Sequence, residues 1–180
     1  MKQFKIVNRV TNKLLMSMIE LDKLVYKGQD VGEYQKCKEW LKINSNIYTI
    51  VLCDNQVIGY INFMPVTDEC YKLIKNGQKK DYDIETNDIL DFDPDTKQKC
   101  LFTSIVIHPE YHQGAVLIIL WKGFIKKLKR LKVNIDSIIM DCVSPIGEKC
   151  ARHCMSGRLI TKSKHSKVYE GNIKEEYILK

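Results

Sequence analysis

Three groups of residues in this chain have types and spacing that could do chemistry. The first is His112-Gln113-Gly114-Ala115-Val116. It follows an apolar, β-branched run, Leu101 to Ile107, and opens a stretch with apolar residues at Leu117, Leu120, Trp121, Phe124, Leu128 and Leu131. The run predicts a buried strand, and the three-and-four spacing predicts a helix of about five turns. A turn between them exposes unpaired N–H groups at the positive end of the helix dipole, which suits a phosphate. Gly114 has no Cβ, so an anion can approach the backbone closely there.

The second group is acidic: Asp81, Asp83, Glu85, Asp88, Asp91, Asp93 and Asp95. Asp91-x-Asp93-x-Asp95 has the opening of a calcium loop, but Thr96 stands in place of its glycine and Phe102 in place of its closing glutamate. What remains is a solvated loop or a cation-attracting wall, with Asp91 and Asp93 as candidate contacts to a cationic substrate. The third group is Cys150, His153 and Cys154, with Cys142 nearby. One helical turn can offer only some of these on one face, and no fourth ligand follows at zinc spacing, so no metal site is expected. Core thiols are the reading, and no nucleophile motif surrounds any of the seven cysteines.

The remaining pattern supplies the elements that must position these groups. Lys5 to Val10 predicts a short strand, and Thr11 caps a helix to about Tyr26. A second helix is expected over about Glu33 to Ile43. Ile47–Cys53 and Gln56–Val66 predict a hairpin turning at Asp54-Asn55. Asp68 to Asn76 is a short helix, and the acidic stretch after it is too long for an ordinary hairpin connection. Ile135–Cys142 is a fifth strand. Ser144-Pro145 opens a helix to about Met155, ended by Gly157. Leu159–Ser163 and Lys167–Tyr169 close the pattern. Mixed strands and helices with a strand–helix–strand crossover argue for a three-layer α/β/α fold with a mixed central sheet of about seven strands.

At 180 residues, a single domain over 1–180 is the simplest division. No apolar stretch is long enough to span a membrane, and the N-terminal residues lack the apolar core of a secretory signal. An odd number of cysteines without small-scaffold spacing favours free thiols and a cytoplasmic location. The net charge of +7 is lopsided, with −1 over residues 1–111 and +8 over 112–180. A basic half suits an anionic ligand. Its lysines lack the interleaved aromatics that nucleic-acid binding uses, which argues against that partner.

Val106-Ile107-His108-Pro109-Glu110-Tyr111-His112-Gln113-Gly114-Ala115 resembles the acetyl-CoA signature of the GNAT superfamily of N-acetyltransferases, and the order of elements from about Phe4 to Tyr169 is similar to that of the family. The loop is about one residue shorter than usual, and Val116 or Leu117 replaces the final glycine. The resemblance implies a transferase that moves acetyl from acetyl-CoA to a primary amine by direct attack. An inactive CoA-binding or interaction module is the alternative. It implies an acidic segment inserted between strands three and four. It assigns the acyl-carrier contacts to the backbone edge Ser104, Ile105, Val106 and Ile107, and to His112, Gln113, Gly114, Ala115 and Val116. Ser144 falls where the family often has an asparagine near the pantetheine. His153 occupies the position of the family's tyrosine general acid. The implied partner is a small-molecule amine or a protein amine, with a homodimer left open and no membrane.

Overall fold

The computed structural model describes residues 3–26, 31–111 and 115–174. The strands are β1 (Phe4–Val7), β2 (Tyr48–Cys53), β3 (Gln56–Pro65), β4 (Gln98–Ile107), β5 (Ile135–Cys142), β6 (Arg158–Lys162) and β7 (Lys167–Gly171). The helices are α1 (Asn12–Tyr26), α2 (Tyr34–Ile43), α3 (Asp68–Lys75), α4 (Val116–Arg130) and α5 (Pro145–Cys154). The strands form one sheet in the order β1-β2-β3-β4-β5-β7-β6. Only β4 and β5 are parallel among these pairs.

Local chemistry sets the boundaries. Thr11 Oγ1 accepts from Leu14 N at 3.3 Å at the start of α1, and Thr67 Oγ1 accepts from Cys70 N at 3.2 Å at the start of α3. Asp54 and Asn55 take φ of 47° and 67°, the left-handed pair that matches a two-residue hairpin to the twist of its strands. Strand β4 begins three residues before the apolar run, because Gln98 N donates to Asn134 O at 2.8 Å and Lys99 O accepts from Val66 N at 2.9 Å.

The helices lie on both faces of the sheet. Leu15, Met18 and Leu21 of α1, Cys37 and Trp40 of α2, and Cys70, Tyr71 and Ile74 of α3 pack on one face. Val116, Leu120, Trp121 and Phe124 of α4, with Ala151 of α5, pack on the other. Phe63, Phe102 and Phe124 form a ring cluster with centroids 5.2 to 6.2 Å apart, a geometry that adds roughly 0.5–1.5 kcal/mol per pair beyond burial.

Two irregularities matter for the site. The β4–β5 ladder runs only from Gln98↔Ile135 to Leu101↔Ile139, although both strands continue. Beyond that point the strands part. Just there, the β3–β4 register jumps from Asn62↔Ser104 to Phe63↔Phe102, leaving Thr103 as the extra residue of a bulge. A bulge reverses the in–out alternation after it and turns the strand. Leu101 and Val106 therefore both face the α1 layer, while Phe102 faces α4.

The connection from β3 to β4 comprises α3 and two short 3-10 turns, Asp81–Asp83 and Thr86–Asp88. It is tied back by Lys79 to Asp88 at 2.5 Å and by Trp40 Nε1, which donates to Ile84 O at 3.3 Å. It also reaches across the sheet. Lys75 pairs with Glu170 of β7 at 2.6 Å, and Lys80 pairs with Asp141 of β5 at 3.0 Å.

Candidate active site

The parting of β4 and β5 opens a crevice against the first turns of α5. It is narrow, about 40 Å³, and is walled by Phe102, Ile105, Met140, Cys142, Ser144, Gly147, Cys150 and Ala151, among others. Burial pushes the Cys142 thiol up to about 12, so it stays protonated at neutral pH. On the α1 side of the sheet lies a second cavity of about 430 Å³, lined by Asp22, Trp40, Tyr48, Tyr60, Asn62, Asp81, Tyr82 and Ser104 among others. The two share Tyr26, Thr103, Asp141 and Val143 as common lining. They meet at the bulge.

A hydrogen-bonded polar floor underlies the larger cavity. Thr103 Oγ1 donates to Asn62 Oδ1 at 2.6 Å. Tyr48 bonds both Asn62 and Cys37. Beside them the Tyr60 hydroxyl donates to Asp22 Oδ1. Burial raises the Asp22 carboxyl to about 6, against the pull of the bonds from Tyr60 and the Gly32 backbone. Burial likewise pushes the Tyr48 and Tyr60 hydroxyls well above their usual range. The cavity thus sets a buried carboxylate of raised pKa beside two buried phenols.

The expected site residues divide between this region and others. Ile105 walls the crevice, Ser104 lines the larger cavity, and Val106 is buried beneath α1. Ile107 packs toward α4 and pairs with Gly59. Ser144 lines the crevice, but its Oγ is engaged as the α5 cap, accepting from Gly147 N at 3.1 Å. Ala115 is the exposed N-cap of α4, without a side-chain cap, and Val116 is a core residue. His112, Gln113 and Gly114 lie outside the described residues.

His153 sits on the exposed face of α5 and lines neither cavity, because the helix turns Cys150 and Ala151 toward the crevice instead. Asp91 and Asp93 are also remote from the crevice. Asp93 accepts from Asp95 N and Thr96 Oγ1, and Gln98 at the far end of β4 bonds the Asp91 and Asp93 backbone. Those carboxylates shape a turn, and of the acidic segment Asp81 is the carboxylate that lines the larger cavity. Among the described residues no cluster of three or more His, Cys, Asp or Glu side chains is arranged to hold a metal ion. All seven cysteines are free thiols.

Asp22 and Asp141 do not figure in the sequence reading, yet both carried a signal. Asp22 falls within the apolar stripe of α1, four residues after Met18 and seven after Leu15, where a carboxylate has to be buried. Asp141 interrupts the apolar run of β5.

No family model and no curated protein sequence matches the chain. Solved structures do match in shape. The chain is similar to the loading GNATL domain of CurA from Lyngbya majuscula, at 8% identity over 96% of this chain and 99% of that one, with a TM-score of 0.64. It is similar to the PaiA N-acetyltransferase of Thermoplasma acidophilum in complex with coenzyme A, at 13% identity over 94% and 99%, with a TM-score of 0.57. It is also similar to Arabidopsis thaliana Naa50 in complex with a bisubstrate analogue, at 7% identity over 94% and 99%, with a TM-score of 0.57. At these identities the likeness is one of architecture. The chain has the fold of the GNAT N-acetyltransferases.

Proposed function

We propose that residues 1–180 act as one acetyltransferase domain, moving an acetyl group from acetyl-CoA to a cationic primary amine by direct attack. The observation that carries this reading is the meeting of a strand-parting crevice and a separate polar, aromatic cavity at Thr103 and Asp141. Donor and acceptor then approach from opposite sides of the sheet and react at the bulge.

In this reading the pantetheine arm runs along the β5-facing edge of Phe102–Ile107, where the ladder to β5 has ended. A backbone N–H of that edge stabilises the charge that develops on the thioester oxygen. The loop of His112, Gln113 and Gly114, with the uncapped first turn of α4 at Ala115 and Val116, holds the phosphates. The amine nitrogen forms the new bond to the acetyl carbon as the carbon–sulfur bond breaks. Asp22, near neutrality, accepts the proton that the amine gives up. Tyr26, which lines both cavities, stands better placed than the exposed His153 to protonate the departing sulfur.

Calorimetric titration with acetyl-CoA, paired with release of free thiol over a panel of amines, tests the proposal. Binding and amine-dependent thiol release are expected. Absence of binding overturns the reading, and unchanged binding by Gly114→Glu removes the loop assignment. A second reading, a weak or inactive CoA-binding or interaction module, is favoured by the narrowness of the crevice and the outward position of His153. Tight binding with no thiol release on any amine selects it.

A further inference from the structure

The larger cavity carries a detail that the acyl-transfer reading does not use. Asp141 has a side chain only 4% exposed, and its Oδ2 accepts from Lys80 Nζ at 3.0 Å. Its other oxygen, Oδ1, is buried without a hydrogen-bond partner among the described residues. An orphaned carboxylate oxygen is uncommon in a folded protein and calls for a donor. Asp141 lies on the lining common to the crevice and the cavity, so a donor reaching Oδ1 from the cavity stands where the two meet.

The other carboxylates of the cavity are not equivalent. Asp22 is already bonded by Tyr60 and Gly32. Asp81 is half-buried and already accepts from the backbone of Tyr82 at 2.8 Å. Around the space stand Trp40, Tyr48, Tyr60 and Tyr82, rings that hold an apolar stem and attract a cation through their faces. The volume, about 430 Å³, lies near the lower end of the usual range for small-molecule sites, roughly 300–1,000 Å³. That suits a whole small ligand better than an extended peptide.

We propose that Asp141 Oδ1 is the docking atom for the ammonium group of a compact primary amine with a short apolar stem, bound whole within this cavity. The proposal rests on the acyl-transfer reading for its role as acceptor, and on the orphaned oxygen for its position. Lys80 competes for the same carboxylate. Removing Asp141 and removing Lys80 therefore have opposite effects on the amine.

The test is calorimetric titration of the protein with n-butylamine as the ammonium probe, n-butanol as its neutral isostere, a lysine-containing hexapeptide, and acetyl-CoA. Butylamine is expected to bind at neutral pH, with butanol and the peptide at least ten-fold weaker. Asp141→Asn is expected to weaken butylamine at least ten-fold, and to weaken it more than it weakens acetyl-CoA. Lys80→Met is expected to tighten butylamine several-fold. Should Asp141→Asn fail to fold, Lys80→Met decides by its direction, since a merely structural ion pair would weaken binding when broken from either side. Weakening by both variants, equal binding of butanol, preference for the peptide, or acetyl-CoA binding without butylamine binding overturns the proposal. Butylamine binding with these responses but no acetyl-CoA binding leaves the amine site standing and removes the acyl-transfer reading.

Discussion

The Tyr60 hydroxyl donates to Asp22 Oδ1 at 2.5 Å, joining the middle of β3 to the C-terminal part of α1 under the larger cavity. The bond does not offset burial, and the Asp22 carboxyl sits at about 6 against an ordinary 3.8. Between those values the folded protein holds a proton that the unfolded chain has released. Asp22 therefore costs least below about pH 4, and stability falls by up to about 3 kcal/mol as pH rises through 6. Asp22→Asn is expected to remove that slope in urea unfolding between pH 4 and 7, read as the difference from wild type. If Asp22 receives the amine proton, the same change lowers turnover by roughly 100-fold or more, as loss of a general base does.

Lys127 of α4 is buried, and its ammonium donates to Asn46 O at 2.7 Å without a carboxylate partner in the ion pairs of the described residues. Burial, with Arg130 nearby, lowers it to about 7. Between about pH 7 and 10.5 the unfolded chain holds the extra proton, so this group makes stability rise with pH across that window. Lys127→Met is expected to stabilise the fold by about 3 kcal/mol at pH 6, the gain fading toward pH 10. Denaturant melts at the two values check it.

Cys154 is expected to be the thiol most readily alkylated. The Cys150 thiol donates to the Cys154 sulfur, which lowers Cys154 below the usual thiol range and raises Cys150. Burial raises Cys37, Cys70, Cys100 and Cys142. Iodoacetamide at pH 7.5 is expected to label Cys154 first, as the thiolate is the reactive form. Cys150→Ala is expected to slow that labelling by removing the donor, as followed by peptide mass mapping.

Gly171 closes β7 where it passes beneath the end of α5. A Cβ there would lie 2.2 Å from Met155 O and 2.9 Å from Gly157 Cα, both rigid backbone atoms. Gly171→Ala is expected to cost about 3 kcal/mol in thermal or urea unfolding through forced displacement of α5 from the sheet. Gly77→Ala, whose new methyl would meet only Thr161 Cγ2 at 3.5 Å, tests a different cause: its φ of 72° is costly for any side chain, by about 1 kcal/mol.

Much of this architecture was written in local pattern. The period of α1 and α4, the Asp54-Asn55 turn, the Ser144-Pro145 helix start and the extent of β5 are all fixed by nearest neighbours in the chain, and the structure has them where the spacing puts them. The site was less legible, because its parts meet only through long-range contacts. Nothing near Thr103 announces that it becomes the extra residue of a bulge, since the bulge is a mismatch with β3, some forty positions earlier. Asp91 and Asp93 had the charge for a substrate wall, but neighbouring amides and Gln98 claim their oxygens and backbone. His153 had a suitable side chain at a suitable spacing, and the rotation of α5 against the sheet points Cys150 and Ala151 inward instead.

The short parallel ladder between β4 and β5 leaves a second question of what sets the gap between the halves of the sheet. Backbone bonding ends at Leu101 and Ile139, so the gap above is spanned from outside, by side chains reaching from the segment after β3. Lys75 grips Glu170, Tyr71 donates to the same carboxylate at 2.8 Å, and Lys80 bridges Asp141 and Ser166. The aperture is thus flanked by a charged truss, in which three lysine and tyrosine tips tie the segment after β3 to the β5 and β7 side of the sheet.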